Sequence, residues 1–265
     1  MQETDLALIT DAIRMAGRVA TSFIESGAQK WDKPAGAGPV TEADLAVNAY
    51  LGSVLRSARP EYGWLSEESE DTGERLERDT VFIVDPIDGT RSFVDGSKTW
   101  AHSIAVAHQG RVTAGAVYLP LRGLLYTAAL GKGATLNGEA LVVSARQDVR
   151  GADILAAKPM IAPEFWPRGV PEFNRAHRPS LAYRLGLVGQ GRFDAMLTFR
   201  PTWEWDVAAG ALIVEESRGV CTDKTGAALR FNNPSAQLNG MIAAGAGLHD
   251  NLMAELGNRS QTPVP

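Results

Sequence analysis

Apolar residues near the N-terminus recur at helical spacing, and later apolar residues form short runs. Between residues 4 and 25 the apolar positions follow the 3.6-residue period of an amphipathic helix. Residues 39–60 predict a second helix, with Thr41 as its N-cap and Asp44 three positions later as the partner in a capping box. The glycine- and proline-rich segment 32–39 predicts a loop between the two helices.

Short apolar runs bounded by turn residues predict strands in the next part of the chain. Residues 62–66 and the buried-type run 81–85 precede three segments that predict an antiparallel meander, namely 100–108, 111–120 and 123–129. The polar stretch 69–80 predicts a surface loop, and residues 131–138 predict a turn.

Helical and strand patterns alternate in the second half, which is typical of an α/β arrangement. The predicted strands are 152–157, 193–199 and 240–245. The predicted helices are 180–191 and 206–219, the second ending at Gly219. The tail 261–265 is expected to be disordered.

These patterns predict one domain over residues 1–265, built from two fused lobes. The first lobe, residues 1–148, combines helices with a mostly antiparallel sheet. The second, residues 149–265, is an α/β lobe.

The overall charge excludes one large class of partner. The formal net charge is −5 at pH 7, so the chain lacks the basic surface that nucleic-acid polymers require. Its single cysteine, Cys221, cannot form an intrachain disulfide, which suits a reducing compartment. The N-terminus lacks the features of a signal peptide, and no apolar run approaches the ~20 residues of a transmembrane helix. We therefore expect a cytoplasmic protein without a membrane or nucleic-acid partner.

Two carboxylates stand where the buried run 81–85 ends. Asp85 and Asp88 would repel each other at a strand end unless a cation lay between them, and a divalent metal is the simplest such cation. The alternative is a plain turn, because Asp-Pro and Asp-Gly are ordinary turn signals. The letters DPIDG alone leave both explanations open.

Three further acids have structural explanations of their own. Glu67 follows a strand, Asp206 opens a helix where an aspartate is commonly an N-cap, and Asp44 belongs to the predicted capping box. Together with Asp85 and Asp88, however, all five stand at a strand end or a helix start. Such an oxygen-only set suits Mg²⁺ or Mn²⁺ better than Zn²⁺.

Other chemistries lack their motifs in this chain. The four histidines show no metal-binding spacing, and the sequence contains no HExxH, EF-hand, GxSxG, P-loop or GxGxxG pattern. If a helical turn begins at Gly89 and Thr90, its free N–H groups would point at the carboxylates and offer an anion site. Metal ions and backbone amides would then hold a phosphate group together.

The segments VTEAD, WLSEES, VDPIDGT and WDVAAG, in this order, resemble the signature motifs of the inositol monophosphatase family. The resemblance extends from the N-terminal helix to about residue 245. It implies an α/β (α+β) fold of the family's layered αβαβα type, usually as a homodimer. It also implies a Mg²⁺-dependent, Li⁺-sensitive phosphomonoesterase with two or three metal ions per site, for which Mn²⁺ can substitute.

The resemblance also implies a role for each matching residue. Asp44 and Thr90, together with Glu67, would activate the nucleophilic water, and Glu68 would lie behind the ligands. The amides of Gly89 and Thr90, with Asp88, would contact the substrate phosphate. The implied reaction is direct in-line attack by water, without a phosphoenzyme. The implied metal ligands are Glu67, Asp85, the Ile87 carbonyl, Asp88 and Asp206.

The substrate is indicated by fewer residues than the metal site is. Inositol-specific members carry a glutamate a few residues before the WD motif, where this chain has Phe199 and Arg200. The PTWEWD segment and the Ser180–Leu181 pair resemble bacterial 3′(2′),5′-bisphosphate nucleotidases. This likeness favours 3′-phosphoadenosine 5′-phosphate as the substrate, with Ser180 and Arg200 among its binding residues.

Several alternatives stay open at this point. Phe199, Trp203 and Trp205 could be core aromatics, and Arg200 could pair with a surface acid. The substrate could instead be inositol 1-phosphate or a related polyol or sugar phosphate, and histidinol phosphate and fructose bisphosphate are further candidates. The chain could also be a non-catalytic divalent-cation binding protein, although its water-activating pair is intact.

Overall fold

The computed structural model describes residues 4–32 and 38–257. Most of the predicted loop 32–39 and all of the predicted disordered tail 261–265 lie outside the described residues. Within them the helices are α1 (Asp5–Ser26), α2 (Glu42–Ala58), α3 (Thr90–Val94), α4 (Leu181–Gly189), α5 (Glu204–Glu216) and α6 (Ala246–Glu255). No helix in this part of the chain is long and apolar enough to cross a bilayer.

The strands of the N-terminal half are β1 (Lys30–Asp32), β2 (Pro39–Thr41), β3 (Gly63–Ser66), β4 (Thr80–Asp88), β5 (Ala101–His108), β6 (Arg111–Leu119), β7 (Leu124–Ala129), β8 (Gly133–Leu136) and β9 (Glu139–Ala140). Those of the C-terminal half are β10 (Asp153–Ala156), β11 (Asn174–Ala176), β12 (Ala195–Thr198), β13 (Thr202–Trp203), β14 (Gly219–Thr222), β15 (Gln237–Leu238) and β16 (Met241–Gly245).

The larger sheet has the strand order β3-β4-β5-β6-β7-β8-β9. Only β3 and β4 run parallel within it, and the remaining neighbours are antiparallel, which confirms the predicted meander. The smaller sheet has the order β11-β10-β12-β16-β14, with two parallel pairs and two antiparallel pairs.

Alternating side chains give both sheets two apolar faces. On β4, Phe82 and Val84 pack in a buried cluster with α1 and α2, whereas Val81 and Ile83 belong to the cluster of α4 and α5. The smaller sheet contacts α4 and α5 on one face and α6 on the other. The layers therefore alternate as αβαβα, which confirms the expected fold.

The glycine of the WDVAAG segment explains how closely α4 and α5 pack. A Cβ added at Gly210 would lie 2.5 Å from Leu185 Cδ1, a distance that side chains do not tolerate. Glycine at this position lets the two helices of the central layer approach each other. This packing matters for the site, because each of the two helices begins beside the candidate metal ligands.

Several local predictions were wrong. The predicted turn 131–138 contains β8. The prediction of a surface loop at 69–80 fits the structure, because this stretch is largely exposed and its only regular element before β4 is a 3₁₀ turn at 74–77. Helix α5 ends at Glu216 rather than Gly219, and Arg218 adopts the left-handed conformation instead (φ 69°). Helix α6 was not predicted at all.

Candidate active site

A β-bulge brings Asp85 and Asp88 to one face of the larger sheet. Asp85 pairs with Ser103 and Asp88 pairs with Ala101, so three steps along β4 match two steps along β5. In a regular strand, residues three apart point to opposite faces. The extra residue of the bulge corrects this, because Asp85 and Asp88 take the face shared by Ser103 and Ala101. The bulge therefore places two aspartates that are three positions apart in the sequence side by side at the end of a buried strand.

The Asp85 carboxylate is the clearest sign of a cation site. Its side chain is 1% exposed, and neither oxygen has a hydrogen-bond partner among the described residues. Carboxylate oxygens of Asp85, Asp88 and Asp206 lie within 4.8 Å of one another. A buried carboxylate without a partner is costly, so this donor set fits a hard divalent cation.

The N-terminus of α4 holds Asp88. The Ser180 hydroxyl donates to Asp88 Oδ2 at 2.6 Å, and the Ala182 backbone N–H donates to the same oxygen at 2.7 Å. Ser180 is fully buried and also caps α4, accepting a hydrogen bond from the Tyr183 N–H. The structure therefore ties Ser180 to Asp88, and does not expose it to a substrate as the sequence had indicated.

Asp206 is not the N-cap of its helix. The N-cap of α5 is Trp203, which makes no side-chain capping bond, and Asp206 is the third residue of the helix. Its carboxylate instead lies with those of Asp85 and Asp88. The capping explanation for Asp206 is thus wrong, which leaves its position beside the other two acids to be explained by function.

Glu67 lies at the edge of the same cluster. Its backbone N–H donates to the Val84 carbonyl at the end of the parallel β3–β4 pair. Its side chain is half-buried. The negative charge of Glu67 helps to raise the pKa values of Asp44, Asp85 and Asp206, which places it near all three. Glu68 follows it, and its carbonyl accepts a hydrogen bond from Asn48 Nδ2 at 3.0 Å.

Asp44 caps its helix and also reaches the candidate site. Its Oδ2 accepts hydrogen bonds from the Thr41 N–H (2.8 Å) and the Thr41 hydroxyl (2.5 Å), which completes the predicted capping box of α2. Its other oxygen, Oδ1, lies 3.2 Å from Thr90 Oγ1. The Thr90 hydroxyl is equally close to the Ile87 carbonyl (3.2 Å). Asp44, Thr90 and Ile87 therefore meet on one side of the bulge.

Burial and mutual repulsion disfavour the ionised forms of the cluster. Burial raises the pKa of Asp85 well above its usual range, and the charges of Glu67, Asp88 and Asp206 raise it further. Burial also raises the pKa of Asp88 to about 6, although the bonds from Ser180 and Ala182 oppose this shift. A cation bound between the carboxylates would reverse these shifts.

The turn after Asp88 has the predicted form. Gly89 has φ 97°, a left-handed conformation that suits glycine, and α3 begins at the next residue, Thr90. Asp88 and Thr90, on either side of Gly89, are both buried, with less than 10% of each residue exposed. The Gly89–Thr90 backbone thus begins a helical turn directly after the bulge.

The structure separates the two residues that stand where inositol-specific members carry a glutamate. Phe199 is buried. The centroid of its ring lies 4.9 Å from that of Phe165 and 6.0 Å from that of Trp166, so Phe199 is a core residue. Arg200 is exposed and forms no ion pair among the described residues. The suggested pairing of Arg200 with a surface acid is therefore wrong.

A second arginine, Arg184, interacts with Arg200 and Asp88 and was not predicted from the sequence. Arg184 lies one helical turn after Ser180 in α4, and only 6% of it is exposed. Its guanidinium donates to the Arg178 carbonyl and, at 2.8 Å, to His177 Nε2. The pKa of Arg184 is lowered to about 10, mainly by burial; the charge of Asp88 opposes this shift, and the nearby charge of Arg200 contributes to it. The only sequence signal was one arginine in an otherwise apolar helix.

The two tryptophans before Asp206 form a stack. Their ring centroids are 4.7 Å apart and their planes differ by 8°. Trp203 is 43% exposed, so it is not the core residue that the sequence left possible, while Trp205 is half-buried. The Trp205 carbonyl accepts a hydrogen bond from Ser103 at 3.1 Å, which ties the start of α5 to β5.

Glu204 was also missed, and it anchors the start of α5. This fully buried carboxylate accepts hydrogen bonds from the Asn232 N–H (2.6 Å), the Asn233 N–H (2.8 Å) and Asn233 Nδ2 (2.7 Å). Arg75, from the 3₁₀ turn, donates to Asn232 Oδ1 at 2.6 Å. These bonds fix the helix that carries Asp206.

The fold and its acidic centre define a metal-dependent phosphatase. Residues 1–261 match the model of the inositol monophosphatase family, and the chain belongs to that family. The match confirms the resemblance that the four sequence motifs indicate.

Individual relatives agree with this assignment. Nus factor SuhB of Pseudomonas aeruginosa is 34% identical over 71% of this chain and 73% of its own length. Inositol-1-monophosphatase of Rhizobium meliloti is 33% identical, again over 71% and 73%. The crystal structure of extragenic suppressor protein suhB from Bartonella henselae superposes with a TM-score of 0.80 at 30% identity, covering 97% of this chain and 98% of that one.

Proposed function

We propose that this protein is a Mg²⁺-dependent phosphomonoesterase that hydrolyses a small phosphate monoester with an activated water. The observation that carries this proposal is the buried Asp85 carboxylate, which has no hydrogen-bond partner among the described residues and lies beside Asp88 and Asp206. Two buried acids and a half-buried one so close together call for a cation, and the oxygen-only donor set suits Mg²⁺, with Mn²⁺ as a substitute.

Five residues would hold the metal ions. Two or three divalent ions, held by Glu67, Asp85, the Ile87 carbonyl, Asp88 and Asp206, would supply Lewis acidity for the attacking water, the phosphoryl oxygens and the leaving alkoxide. Ser180 and Ala182 both bond to Asp88 Oδ2, which leaves Oδ1 as the oxygen for a cation.

Asp44 and Thr90 orient and deprotonate the attacking water. One Asp44 oxygen is taken by Thr41, so only Oδ1, next to the Thr90 hydroxyl, remains for this task. The Gly89 and Thr90 N–H groups, at the start of the turn, are suited to bind the phosphate of the substrate. Water attacks phosphorus in line with the departing alcohol oxygen, and the products are the free alcohol and inorganic phosphate.

We further propose a bisphosphorylated nucleoside, 3′-phosphoadenosine 5′-phosphate, as the substrate. The exposed Arg200 lies close enough to the buried Arg184 to lower its pKa, and Arg184 in turn interacts with Asp88. A guanidinium group near Asp88, with a second guanidinium group near the first, suits a substrate with a second phosphate. The stacked pair formed by Trp203 and Trp205, three and one positions before Asp206, offers an aromatic face for a base.

An inositol or related polyol phosphate is the second candidate, favoured by the name of the Rhizobium meliloti relative. To decide, phosphate release should be measured with Mg²⁺ from 3′-phosphoadenosine 5′-phosphate and inositol 1-phosphate side by side. We expect kcat/KM to favour the nucleotide by ~100-fold, about 2.7 kcal/mol. The opposite preference would contradict the nucleotide assignment. Hydrolysis of neither compound, with normal Mg²⁺ binding, would favour a non-catalytic cation-binding protein.

Further properties belong to the same proposal. We expect inhibition by Li⁺, a homodimer, a cytoplasmic location and a single phosphatase domain. The last is supported by one buried cluster that contains residues of both sheets, including Ile83 and Met196. Size-exclusion chromatography with light scattering would test the dimer, and a monomer at micromolar concentration would contradict it.

A further inference from the structure

His102 lies directly opposite the bulge that brings the candidate metal ligands together. On β5 it stands between Ala101 and Ser103, the partners of Asp88 and Asp85. Residues 86 and 87 of β4 therefore face this single residue. Because successive side chains alternate, the His102 ring points to the face opposite the carboxylates.

The environment of the His102 ring is apolar and closed. The residue is fully buried, and its ring packs edge-on against that of Trp100, with 5.3 Å between the ring centroids. The Trp100 ring in turn packs against that of Phe93, with 5.1 Å between the centroids. Both aromatics belong to the buried cluster of α1 and α2. No ordinary packing requirement calls for a histidine here, since the neighbours are hydrophobic.

One polar contact explains the choice of residue. His102 Nδ1 lies within hydrogen-bonding distance of the Pro86 carbonyl. A carbonyl only accepts, so Nδ1 carries the proton and donates it. Pro86 is inside the bulge and has no N–H of its own, so its peptide cannot be held by an ordinary ladder bond through nitrogen.

The other ring nitrogen is left without a partner. Nε2 is buried and has no hydrogen-bond partner among the described residues. Burial lowers the pKa of His102 to about 4, so the ring is neutral at pH 7 and Nε2 is a bare acceptor. An unsatisfied buried acceptor destabilises the fold. His102 therefore carries a stability cost that a residue chosen only for packing would avoid.

We propose that His102 is a positioning residue that fixes the metal-binding bulge through the Pro86 carbonyl. Holding this carbonyl keeps Asp85 and Asp88 on one face and sets the direction of the neighbouring Ile87 carbonyl. The inference rests on the proposed metal centre, and it concerns residues that do not themselves touch the metal or the substrate.

The test compares His102→Leu, which removes the donor, with His102→Asn, whose side-chain amide can supply a donor near the position of Nδ1. His108→Leu serves as a control at an exposed position of the same strand. Mn²⁺ binding is measured directly by electron paramagnetic resonance, and thermal unfolding is followed in EDTA.

We expect His102→Leu to weaken Mn²⁺ binding at least ~10-fold, as loss of a residue behind metal ligands does elsewhere. We also expect its Tm in EDTA to stay close to that of the wild type, because removal of the unsatisfied Nε2 offsets the loss of the donor to the Pro86 carbonyl. His102→Asn should recover most of the affinity, and His108→Leu should leave it unchanged. This separation of affinity from stability is the signature of positioning.

Wild-type affinity in His102→Leu would overturn the inference. If His102→Leu does not fold, His102→Asn decides, because weak Mn²⁺ binding by this variant would also overturn the inference and near-normal binding would support it. Absence of Mn²⁺ binding by the wild type would instead overturn the proposed function, and this inference with it.

Discussion

Ser180 Oγ lies 2.6 Å from Asp88 Oδ2, joining two residues that are 92 positions apart. The bond ties the first residue before α4, in the C-terminal half, to the end of β4, in the N-terminal half. The two halves of the chain therefore build the acidic centre jointly. Asp206, which arrives on α5, completes it from the C-terminal half.

Replacing Asp85 tests the centre most simply. Asp85→Asn keeps the shape of the side chain but removes a charge for which the described residues provide no partner. We expect kcat/KM to fall at least ~100-fold because cation binding is lost. We also expect Tm in EDTA to rise, because the repulsion from Glu67, Asp88 and Asp206 is relieved.

Asp79→Asn is the matched control, at an exposed position just before the same strand. It should change neither quantity. Normal turnover in Asp85→Asn would show that Asp85 does not hold a cation needed for catalysis.

The Thr90 hydroxyl offers a test of water activation. Thr90→Val removes the donor that lies 3.2 Å from Asp44 Oδ1 but keeps the β-branched shape. We expect kcat to fall by ~100-fold, as removal of one positioned hydrogen bond does at other active sites. The Mg²⁺ concentration for half-maximal rate should change little, since Thr90 supplies no side-chain metal ligand in this account.

Thr90→Ser restores the hydroxyl and should recover most of the turnover. If Thr90→Val weakened Mg²⁺ activation and left kcat intact, Thr90 would belong to the metal-binding set and not to the water-activating pair.

The acids could be predicted from the sequence because each follows a local signal. A buried run ending in DPIDG and a helix opening with WD can both be recognised from the sequence alone. The αβαβα layering follows from the family motifs. The bulge between Asp85 and Asp88 was not predictable, because it depends on the register with β5.

The residues around the acids were harder to predict for a related reason. Ser180 and Arg184 gain their roles from where α4 docks, which no local pattern records. Glu204 likewise depends on a loop nearly thirty positions later. Phe199 and Trp203 show the converse, since both are aromatic residues near one motif, yet one is core and the other is exposed.

The pKa of Asp88 predicts how pH affects the metal-free protein. Its folded-state pKa is raised to about 6 from an ordinary 3.8. The stability that this group contributes is therefore fully present below about pH 4 and is lost as the pH rises through about 6. Burial also raises the pKa values of Asp85 and Asp206 well above 3.8, so these groups add to the loss of stability as the pH rises.

Cation binding should offset this loss. We expect the Tm gain from Mg²⁺, relative to EDTA, to be larger at pH 8 than at pH 5, because protons compete with Mg²⁺ for the carboxylates. Thermal unfolding at both pH values measures this difference. An equal gain at both would indicate that Mg²⁺ binds elsewhere, at groups that do not titrate in this range.

Arg200 tests the substrate assignment independently of the chemistry. Arg200→Met removes an exposed charge that forms no ion pair among the described residues. We expect KM for 3′-phosphoadenosine 5′-phosphate to rise ~10-fold or more, a typical loss for a charged hydrogen bond to phosphate. Hydrolysis of a substrate with one phosphate should be unaffected.

Arg192→Met is the control, since Arg192 is also exposed and lies just before β12. A KM unchanged by Arg200→Met, or raised equally for both substrates, would remove Arg200 from the recognition of a second phosphate.

The central claim is that catalysis depends on a cation held by Asp85, Asp88 and Asp206. The most direct measurement is phosphate release from 3′-phosphoadenosine 5′-phosphate and inositol 1-phosphate, first in excess EDTA and then during titration with Mg²⁺. We predict no turnover in EDTA and saturable recovery with Mg²⁺ for at least one of the two esters. Turnover of either ester that persists in excess EDTA would contradict the account.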